Sequence, residues 1–251
     1  MTRSLRILDT GPGAARWNTA LSAALLKVHA LGGGADVLRF YRFPRCVLLG
    51  ASQDAVDVVD LAWCAREGVE MARRVTGGGA VYMAPSMLAW DFVTPSAAPL
   101  PALGEAIGTA MAKALRQCGV PAGFAAPSSL LVRGRKVSGA ATTTHGRSLL
   151  HQGTLLLRDE TADMARALRI APDALRSAVT SLDEAGADPV PPEALQGAVA
   201  GALARTFGLA AAASALTDQE SEIAGQELAA EIGSDSFVRG EDWRLGAGAV
   251  A

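Results

Sequence analysis

The sequence predicts a mixed α/β (α+β) fold, in which a largely antiparallel sheet is flanked by helices and followed by a small C-terminal helical segment. Apolar segments of strand length recur through the first two thirds of the chain. Some are separated by segments with the apolar period of a helix, and others only by short turns. Because strands joined by short turns pair antiparallel, this order favours a mixed sheet over a doubly wound parallel one. Half of the 251 residues are hydrophobic, enough for one large domain with an appendage.

The first half of the chain alternates strands and helices. A strand is predicted at residues 4–9, and the apolar spacing of residues 14–31 predicts a helix that ends at a glycine run. The same two periods predict strands at 36–43, 46–51, 69–75, 79–83 and 87–94, and helices at 60–68 and 102–119.

Two hairpins follow. Their turns are predicted at Arg133-Gly134 and at His145-Gly146, each between two apolar segments of strand length. Beyond these hairpins the chain is mostly helical.

The C-terminal part of the chain begins after an alanine-rich stretch, residues 209–215, which we interpret as a linker or a helix start. We therefore divide the chain into a domain of residues 1–210 and a small segment of residues 211–251.

Composition limits the classes of function. The formal net charge is −2, which gives no basic field and argues against nucleic-acid or membrane-surface partners. No stretch of 18 apolar residues occurs. The three cysteines, Cys46, Cys64 and Cys118, lack metal-ligand spacing and suit a reducing compartment, so a cytoplasmic protein is expected.

The first candidate site is the glycine run of the segment RRVTGGGAVY, residues 73–82. It matches neither the P-loop nor the dinucleotide-binding pattern, and its glycines lead into a strand instead of a helix. Exposed amides of such a run can approach an anion or a flat ring closely, with Arg73 and Arg74 supplying charge. A tight hairpin or bulge beside a surface arginine pair is the alternative.

The second candidate site surrounds Lys136. Only three of the 23 basic residues are lysines, and Lys136 alone of them lies outside a helical pattern. The strand that it begins is poor in bulk, with Ser138, Gly139 and Ala140, and leaves room for a ligand. A surface lysine on a poorly packed strand is the alternative.

The third candidate is His151, which interrupts an apolar run and is followed by Gly153. A buried, hydrogen-bonded histidine without a role in binding is the alternative.

Taken together, three segments resemble the signatures of the lipoate–protein ligase family, which belongs to the larger biotin/lipoate ligase fold. They are RRVTGGGAVYM, GRKVSGAA and HQGTLLL, in the family's order and with similar gaps. The similarity spans roughly residues 4 to 210 and includes the segment LLGASQDAVDVV at 48–59.

The resemblance implies an ATP-dependent ligase. Lipoate, or a similar medium-chain acid such as octanoate, is activated by ATP with Mg²⁺ to an acyl-adenylate, and a lysine of a carrier protein then attacks it. The resemblance makes Lys136 the catalytic cation between the α-phosphate and the acyl carbonyl, where it would stabilise developing charge, and no enzyme nucleophile is required. The resemblance does not identify the residues that would bind the metal ion. The residues that it implies for binding the nucleotide and the acyl-adenylate are Arg73, Arg74, Gly77, Gly78, Gly79, Ala80, Val81, Tyr82, Lys136, Ser138, Gly139, Ala140, His151 and Gly153.

Departures from the family pattern leave two alternatives. Related acyltransferases depend on a cysteine that precedes the segment here written GFAAPSS, and this chain has Gly123 there, with Cys118 five residues upstream. This favours the ligase over a cysteine-dependent lipoyl or octanoyl transferase; a non-catalytic lipoyl- or adenylate-binding protein is the other alternative. The acid preference stays open, since Met83, Ser86-Met87 and Asp91 also depart from the pattern and are expected to line or adjoin the acyl pocket.

The expected partners are a lipoyl carrier protein or domain and a separate accessory subunit. Larger members of the family have an accessory C-terminal domain, and residues 217–243 resemble a shortened fragment of it. A simple amphipathic helix and tail on the main sheet is the alternative.

Overall fold

The computed structural model describes residues 2–32, 34–185 and 190–240. Eleven strands and nine α-helices lie within them. The strands are β1 (Ser4–Pro12), β2 (Asp36–Arg42), β3 (Cys46–Leu49), β4 (Glu70–Arg73), β5 (Val81–Met83), β6 (Met87–Pro95), β7 (Gly123–Ala125), β8 (Ser129–Val132), β9 (Arg135–His145), β10 (Ser148–Leu156) and β11 (Ala210–Ala213). The helices are α1 (Ala15–Gly32), α2 (Ala55–Val58), α3 (Leu61–Arg66), α4 (Leu100–Gln117), α5 (Thr161–Ala167), α6 (Pro172–Ala178), α7 (Pro192–Phe207), α8 (Asp218–Glu227) and α9 (Asp235–Arg239), and a π-helical turn, Leu228–Ile232, continues α8.

Eight strands form the main sheet in the order β11-β1-β2-β6-β10-β9-β8-β7. Strands β11, β1 and β2 run parallel, and every pair from β2–β6 to β8–β7 is antiparallel. The predicted mixed, largely antiparallel sheet is therefore confirmed. A smaller sheet has the order β4-β3-β5.

Side chains alternate between the two faces of the main sheet, as the period of a strand requires. One face packs against α4 and α7 through Leu38, Phe40, Phe92 and other apolar side chains. The opposite face carries Val37 and Leu150 beneath α1 and, further along, meets the smaller sheet. The candidate site lies on this second face.

The segment of the glycine run crosses from one edge of the smaller sheet to the other. Strand β4 pairs with β3 in parallel and β5 pairs with β3 antiparallel, so β4 and β5 lie on opposite sides of β3. The alternative of a tight hairpin at the glycines is therefore wrong. The sequence around the glycine run predicts the strands on either side of it, but it does not show that β3 lies between them in the sheet.

The two predicted hairpins are present. Arg133 and Gly134 have φ values of 50° and 79°, as the first turn requires. In the second hairpin His145 pairs with Ser148, so the turn comprises Gly146 and Arg147 and lies one residue later than predicted.

The interpretation of residues 209–215 as a linker or helix start is wrong, because Ala210–Ala213 form the edge strand β11. The strand pairs in register with Ser4–Ile7 through backbone groups, and its four side chains are exposed. A run of alanines shows no alternation and has a low strand propensity, so nothing local indicates it. Strand β11 crosses the boundary that we predict at residue 210.

The C-terminal helices pack on the main body. Helix α8 lies on α1 and begins with a capping box, in which Thr217 and Glu220 satisfy each other's backbone N–H groups. Glu220, 2% exposed, also pairs with Arg6 at 2.6 Å. No helix within the described residues has the length and apolar character to cross a membrane.

Candidate active site

A cavity of about 360 Å³ lies between the second face of the main sheet and the smaller sheet. Its floor is one row of residues in register across four strands: Gly139 on β9, Thr154 on β10, Ala89 on β6 and Tyr41 on β2. Three strand spacings amount to about 14 Å. Because the first three members of the row are small and the last is bulky, the floor is a trough that Tyr41 closes.

The walls of the cavity are mainly apolar. Strands β3 and β10 contribute Leu48 and Leu156, and the helices beyond β10 contribute side chains from α5, α6 and their connection. The apolar set includes Met164, Ile170, Leu175 and Val179.

Lys136 brings a cation to the end of the trough opposite Tyr41. Its backbone is held where β9 starts, since its carbonyl accepts from the Thr180 amide at 3.0 Å. The side chain is half-buried, burial lowers the pKa of the amine, and within the described residues Nζ has no hydrogen bond or ion pair with the protein. An unpaired, partly desolvated ammonium is costly without a ligand, so this position suits an anion.

Gly139 makes the space that Lys136 occupies. A Cβ on Gly139 would lie 2.7 Å from both Cε and Nζ of Lys136. The small-residue strand predicted from the sequence therefore has a specific function in placing the amine.

We expect Gly139→Ala to displace the Lys136 amine, because a contact of 2.7 Å cannot persist and the end of a lysine side chain moves easily. The unfolding free energy should change little. The rate of the ligase reaction that the resemblance implies should fall about 100-fold, as expected when a catalytic group is misplaced by about 1 Å. Urea unfolding and steady-state kinetics measure the two effects. Gly197→Ala, in α7 with open space around its Cβ, is the matched control and should keep full activity; equal activity in both variants would contradict this role of Gly139.

Arg74 organises the glycine run from within. Its Nη2 donates to the carbonyls of Gly77 and Gly79 at 2.8 Å each, Nε donates to Thr76 Oγ1 at 3.0 Å, and Nη1 donates to Leu48 O at 3.0 Å. The resemblance implies a contact between Arg74 and phosphate, but four of its five N–H groups already donate within the protein, three to the loop and one to Leu48 of β3. Arg74 therefore brings a positive charge to the cavity wall, and its hydrogen bonds hold the glycine run in place.

The glycines are required for different reasons. Gly78 has φ +93° and its carbonyl lies 2.0 Å from the position that a Cβ on Gly50 would take. Gly50 therefore allows the loop to approach β3. A Cβ on Gly77 or on Gly79 would meet open space, and of the two only Gly79 lines the cavity, so a side chain there would extend toward a bound ligand.

The structure brings ten of the fourteen predicted binding residues to the cavity. They are Arg74, Gly78, Gly79, Ala80, Val81, Tyr82, Lys136, Gly139, Ala140 and Gly153. Gly77 does not line it but belongs to the same loop, and Arg73, Ser138 and His151 point elsewhere.

Arg73 faces away from the cavity, because neighbouring residues of a strand point to opposite sides. It is fully buried and donates to Gly50 O at 2.7 Å, Phe237 O at 2.7 Å and Val238 O at 3.0 Å. The expectation that Arg73 binds the ligand is corrected: its side chain ties α9 to the base of the glycine run.

His151 and Ser138 also lie on the opposite face, next to Trp90 and α4. Both line a separate void of about 10 Å³. His151 Nδ1 is 2.7 Å from Thr142 Oγ1, and its ring centroid is 5.5 Å from that of Trp90. The interpretation of His151 as a pocket residue is corrected, and the alternative of a buried, hydrogen-bonded histidine describes it.

We expect His151 to make the fold sensitive to acid. Burial lowers its pKa from 6.5 to about 4, so between these values the unfolded chain binds a proton that the folded chain excludes. Stability is therefore lost as the pH falls from about 6.5 to 4, by roughly 3 kcal/mol for this group. Denaturant unfolding at pH 7 and at pH 4.5 should show a smaller loss in His151→Gln than in the wild type. The exposed His145→Gln is the control, and an unchanged loss in His151→Gln would contradict the assignment.

Gln152 is the polar cavity residue that sequence reasoning missed. It is 7% exposed, lines the cavity, and accepts a hydrogen bond from Thr76 Oγ1 at 3.0 Å. The alternation of β10 was the available signal, since Gln152 and Thr154 share the face opposite His151.

Asp91 lies beneath the trough in a fully buried polar network and does not line the cavity. It accepts from Ser22 Oγ at 2.7 Å, Tyr41 Oη at 3.0 Å and Arg39 Nη1 at 3.3 Å. Burial raises the pKa of Asp91, and these three donors oppose that rise. Arg39 also stacks on the Tyr41 ring, 3.7 Å from its centroid. Asp91, one of the residues that depart from the family pattern, therefore adjoins the pocket and holds Tyr41 in place.

The other departures lie outside the cavity wall. Met83 and Met87 are fully buried in the apolar cluster around the smaller sheet, and Ser86 Oγ donates to Glu160. Of the two positions expected for these residues, lining or adjoining the acyl pocket, the structure shows that they do not line it, and the two methionines pack in the same cluster as residues that do.

The cavity has the chemistry of an anion site joined to an apolar trough. Lys136 and Arg74 line it, whereas no aspartate, glutamate or cysteine among the described residues does so. Within the same residues no group of three histidine, cysteine or acidic side chains is arranged to hold a metal ion. A molecule with an anionic head and an apolar tail matches this lining.

Known proteins resemble this chain in sequence and in fold. The chain matches the family model of the lipoyl protein ligase A/B catalytic domain over residues 14–204. It is 30% identical to octanoyltransferase LipM of Kyrpidia tusciae, over 89% of this chain and 94% of the relative. A bi-partite lipoate protein ligase of Thermoplasma acidophilum has a similar fold, with a TM-score of 0.89 and 23% identity over 95% of this chain and 97% of that one. A lipoate-protein ligase A bound with ATP gives a TM-score of 0.87 and 24% identity over 96% of this chain and 99% of that one.

Proposed function

Because the chain belongs to the lipoyl protein ligase A/B catalytic domain family, we propose that it is an ATP-dependent lipoate–protein ligase. The family membership confirms the resemblance drawn from the three sequence motifs. In the proposed reaction a carboxylate oxygen of lipoate, or of a similar medium-chain acid such as octanoate, attacks the α-phosphorus of ATP and pyrophosphate leaves. The amine of a carrier lysine then attacks the acyl carbon, and AMP leaves.

The single observation that carries this proposal is the Lys136 amine, which is unpaired within the described residues and lies at the anion-binding end of a cavity that no described cysteine lines. Adenylation brings a carboxylate and a phosphate together, and a fixed cation between them offsets their repulsion. An activated acyl-adenylate needs no enzyme thiol in the second step.

The cysteines support a ligase over a thiol-dependent transferase. Cys46 and Cys64 are buried in the apolar cluster around the smaller sheet, and Cys118 lies at the end of α4 against the core. Burial raises the pKa of all three thiols, which disfavours the nucleophilic thiolate. Gly123 occupies the position where the resemblance implies the transferase cysteine, in edge strand β7.

A cysteine-dependent octanoyl transferase is the second candidate, because octanoyltransferases stand among the relatives at 30% identity. That likeness concerns the fold of the chain. No cysteine among the described residues lines the cavity, so the nucleophile of a transferase is missing there. A structural neighbour is described as bound with ATP, which supports the use of ATP by this chain. Mg²⁺ enters the proposal as the ion expected to accompany ATP.

The acid occupies the trough in this proposal, with its carboxylate beside Lys136 and its apolar tail directed toward Tyr41. The glycine run and Ala80 border the nucleotide. The Thermoplasma neighbour is described with an E2 lipoyl domain, which supports a lipoyl domain as the acceptor. Its bi-partite form supports a separate accessory subunit as a further partner.

We also propose that the chain has two functional parts, divided near residue 210. Residues 1–210 form the catalytic unit, and the following segment supports it, since Arg73 joins α9 to the base of the glycine run.

Incubation with an apo lipoyl domain tests the proposed function, read by the intact mass of that domain. We expect a mass gain with lipoate or octanoate that requires ATP and Mg²⁺ and persists in Cys118→Ser. A gain from an acylated carrier without ATP, abolished in Cys118→Ser, would establish the transferase instead. Tight lipoate binding without any gain would indicate a non-catalytic binding protein.

A further inference from the structure

The buried amide of Gln152 has one side used by the protein and one side free. Its Oε1 accepts from Thr76 Oγ1 at 3.0 Å, and within the described residues its Nε2 has no protein partner. The residue is more than nine-tenths buried and lines the cavity. Because Nε2 is not among the fully buried atoms that lack a partner, this nitrogen is open to the cavity and available to a ligand.

The direction of the hydrogen bonds fixes which side is free. Arginine can only donate, so Thr76 Oγ1 accepts from Arg74 Nε at 3.0 Å. The hydroxyl proton of Thr76 is then available for Gln152 Oε1, the acceptor that lies 3.0 Å away, so the amide presents its oxygen to Thr76. The chain Arg74–Thr76–Gln152 therefore leaves the NH₂ group of Gln152 for the cavity.

The register of the strands brings this amide near Lys136. Gln152 pairs with Ala141, and Gly139 is its diagonal neighbour on the same face, about 7–8 Å away. A long side chain spans such a diagonal. Because the Lys136 amine lies directly above Gly139, the two donors approach one region of the trough from different strands.

We propose that Gln152 Nε2 donates to the acyl carbonyl oxygen of the substrate and forms, with Lys136, a two-donor site for that oxygen. This inference rests on the proposed function. The carbonyl oxygen gains negative charge when the carrier amine attacks the acyl carbon, and a fixed donor stabilises that charge. An amide facing an alkyl tail would lose its hydrogen bonds to water without replacement.

Two analogues of the intermediate test this contact in the full-length chain. Octanoyl-sulfamoyl-adenosine carries the acyl carbonyl, whereas the octyl ester of AMP has the same tail and nucleoside but no carbonyl. We expect Gln152→Met, which keeps volume but lacks the donor, to bind the first compound about tenfold more weakly and the second with unchanged affinity. Acyl transfer from preformed octanoyl-adenylate should slow about 100-fold.

The controls separate this contact from a structural effect. Gln152→Glu, which keeps the shape and the acceptor for Thr76, adds a negative charge and should weaken binding of both anionic analogues, but that of the carbonyl compound more. An equal loss for both analogues in Gln152→Met, or no loss, would overturn the inference, while ATP-dependent acylation of a lipoyl domain by the wild type would still uphold the proposed function. If the wild type bound neither analogue, both proposals would fail.

Discussion

Replacing Lys136 with methionine should lower the rate of acyl-adenylate formation about 10²- to 10³-fold, the scale expected for one charge-stabilising donor. The fold should be retained, because the amine has no protein partner within the described residues. Burial lowers its pKa, so the folded state already disfavours the charge and its removal should not reduce the unfolding free energy. Pyrophosphate release with octanoate and ATP measures the first effect, and urea unfolding measures the second.

Lys136→Arg distinguishes a compact charge from charge alone. The planar guanidinium is larger than an ammonium, and the space above Gly139 is tight. We expect this variant to remain near the methionine variant. Lys113→Met, in α4, is the matched control and should keep wild-type activity. Wild-type rates in Lys136→Met would contradict the assignment of the cation.

Asp91→Asn should lower the unfolding free energy by about 3–5 kcal/mol, because it leaves the Arg39 guanidinium buried without its counter-charge. Both side chains are fully buried and 3.3 Å apart. The same change removes an anionic acceptor from Tyr41, which closes the trough. Affinity for octanoate should therefore fall as well. Urea unfolding and calorimetric titration measure these two effects.

The double variant Arg39→Met with Asp91→Leu removes both charges and should recover much of the lost stability. Glu67→Gln, which breaks the exposed pair with Arg66, is the control and should have no measurable effect. A stability loss in Asp91→Asn no larger than in Glu67→Gln would contradict the structural role of the buried pair.

The local patterns of the sequence were sufficient for most elements of the fold, and they failed where long-range pairing decides. Residues 14–31 have a clear helical period, and α1 occupies nearly the same range. Strand β11 is the opposite case, because its partner β1 lies at the other end of the chain and four alanines show no alternation. The glycine run likewise gave two strands without the intervening β3.

The motifs of the candidate site could be predicted from the sequence. Which residues of each motif face the cavity could not. Arg73 and Arg74 are adjacent and chemically equivalent, and only the packing of α9 shows which one turns from the cavity. The sequence singles out His151 because it interrupts an apolar run, whereas the structure places the neighbouring Gln152 in the cavity. The pairing of β10 with β9, in which Thr154 lies opposite Gly139, decides which face of β10 meets the cavity. That pairing cannot be derived from a single sequence.

The exchange of labelled pyrophosphate into ATP tests the central claim most directly, because it reports acyl-adenylate formation without a carrier. We predict exchange by the full-length chain that requires lipoate or octanoate, occurs without any lipoyl domain, persists in Cys118→Ser and is lost in Lys136→Met. The absence of exchange, together with octanoyl transfer between carriers without ATP, would contradict the account.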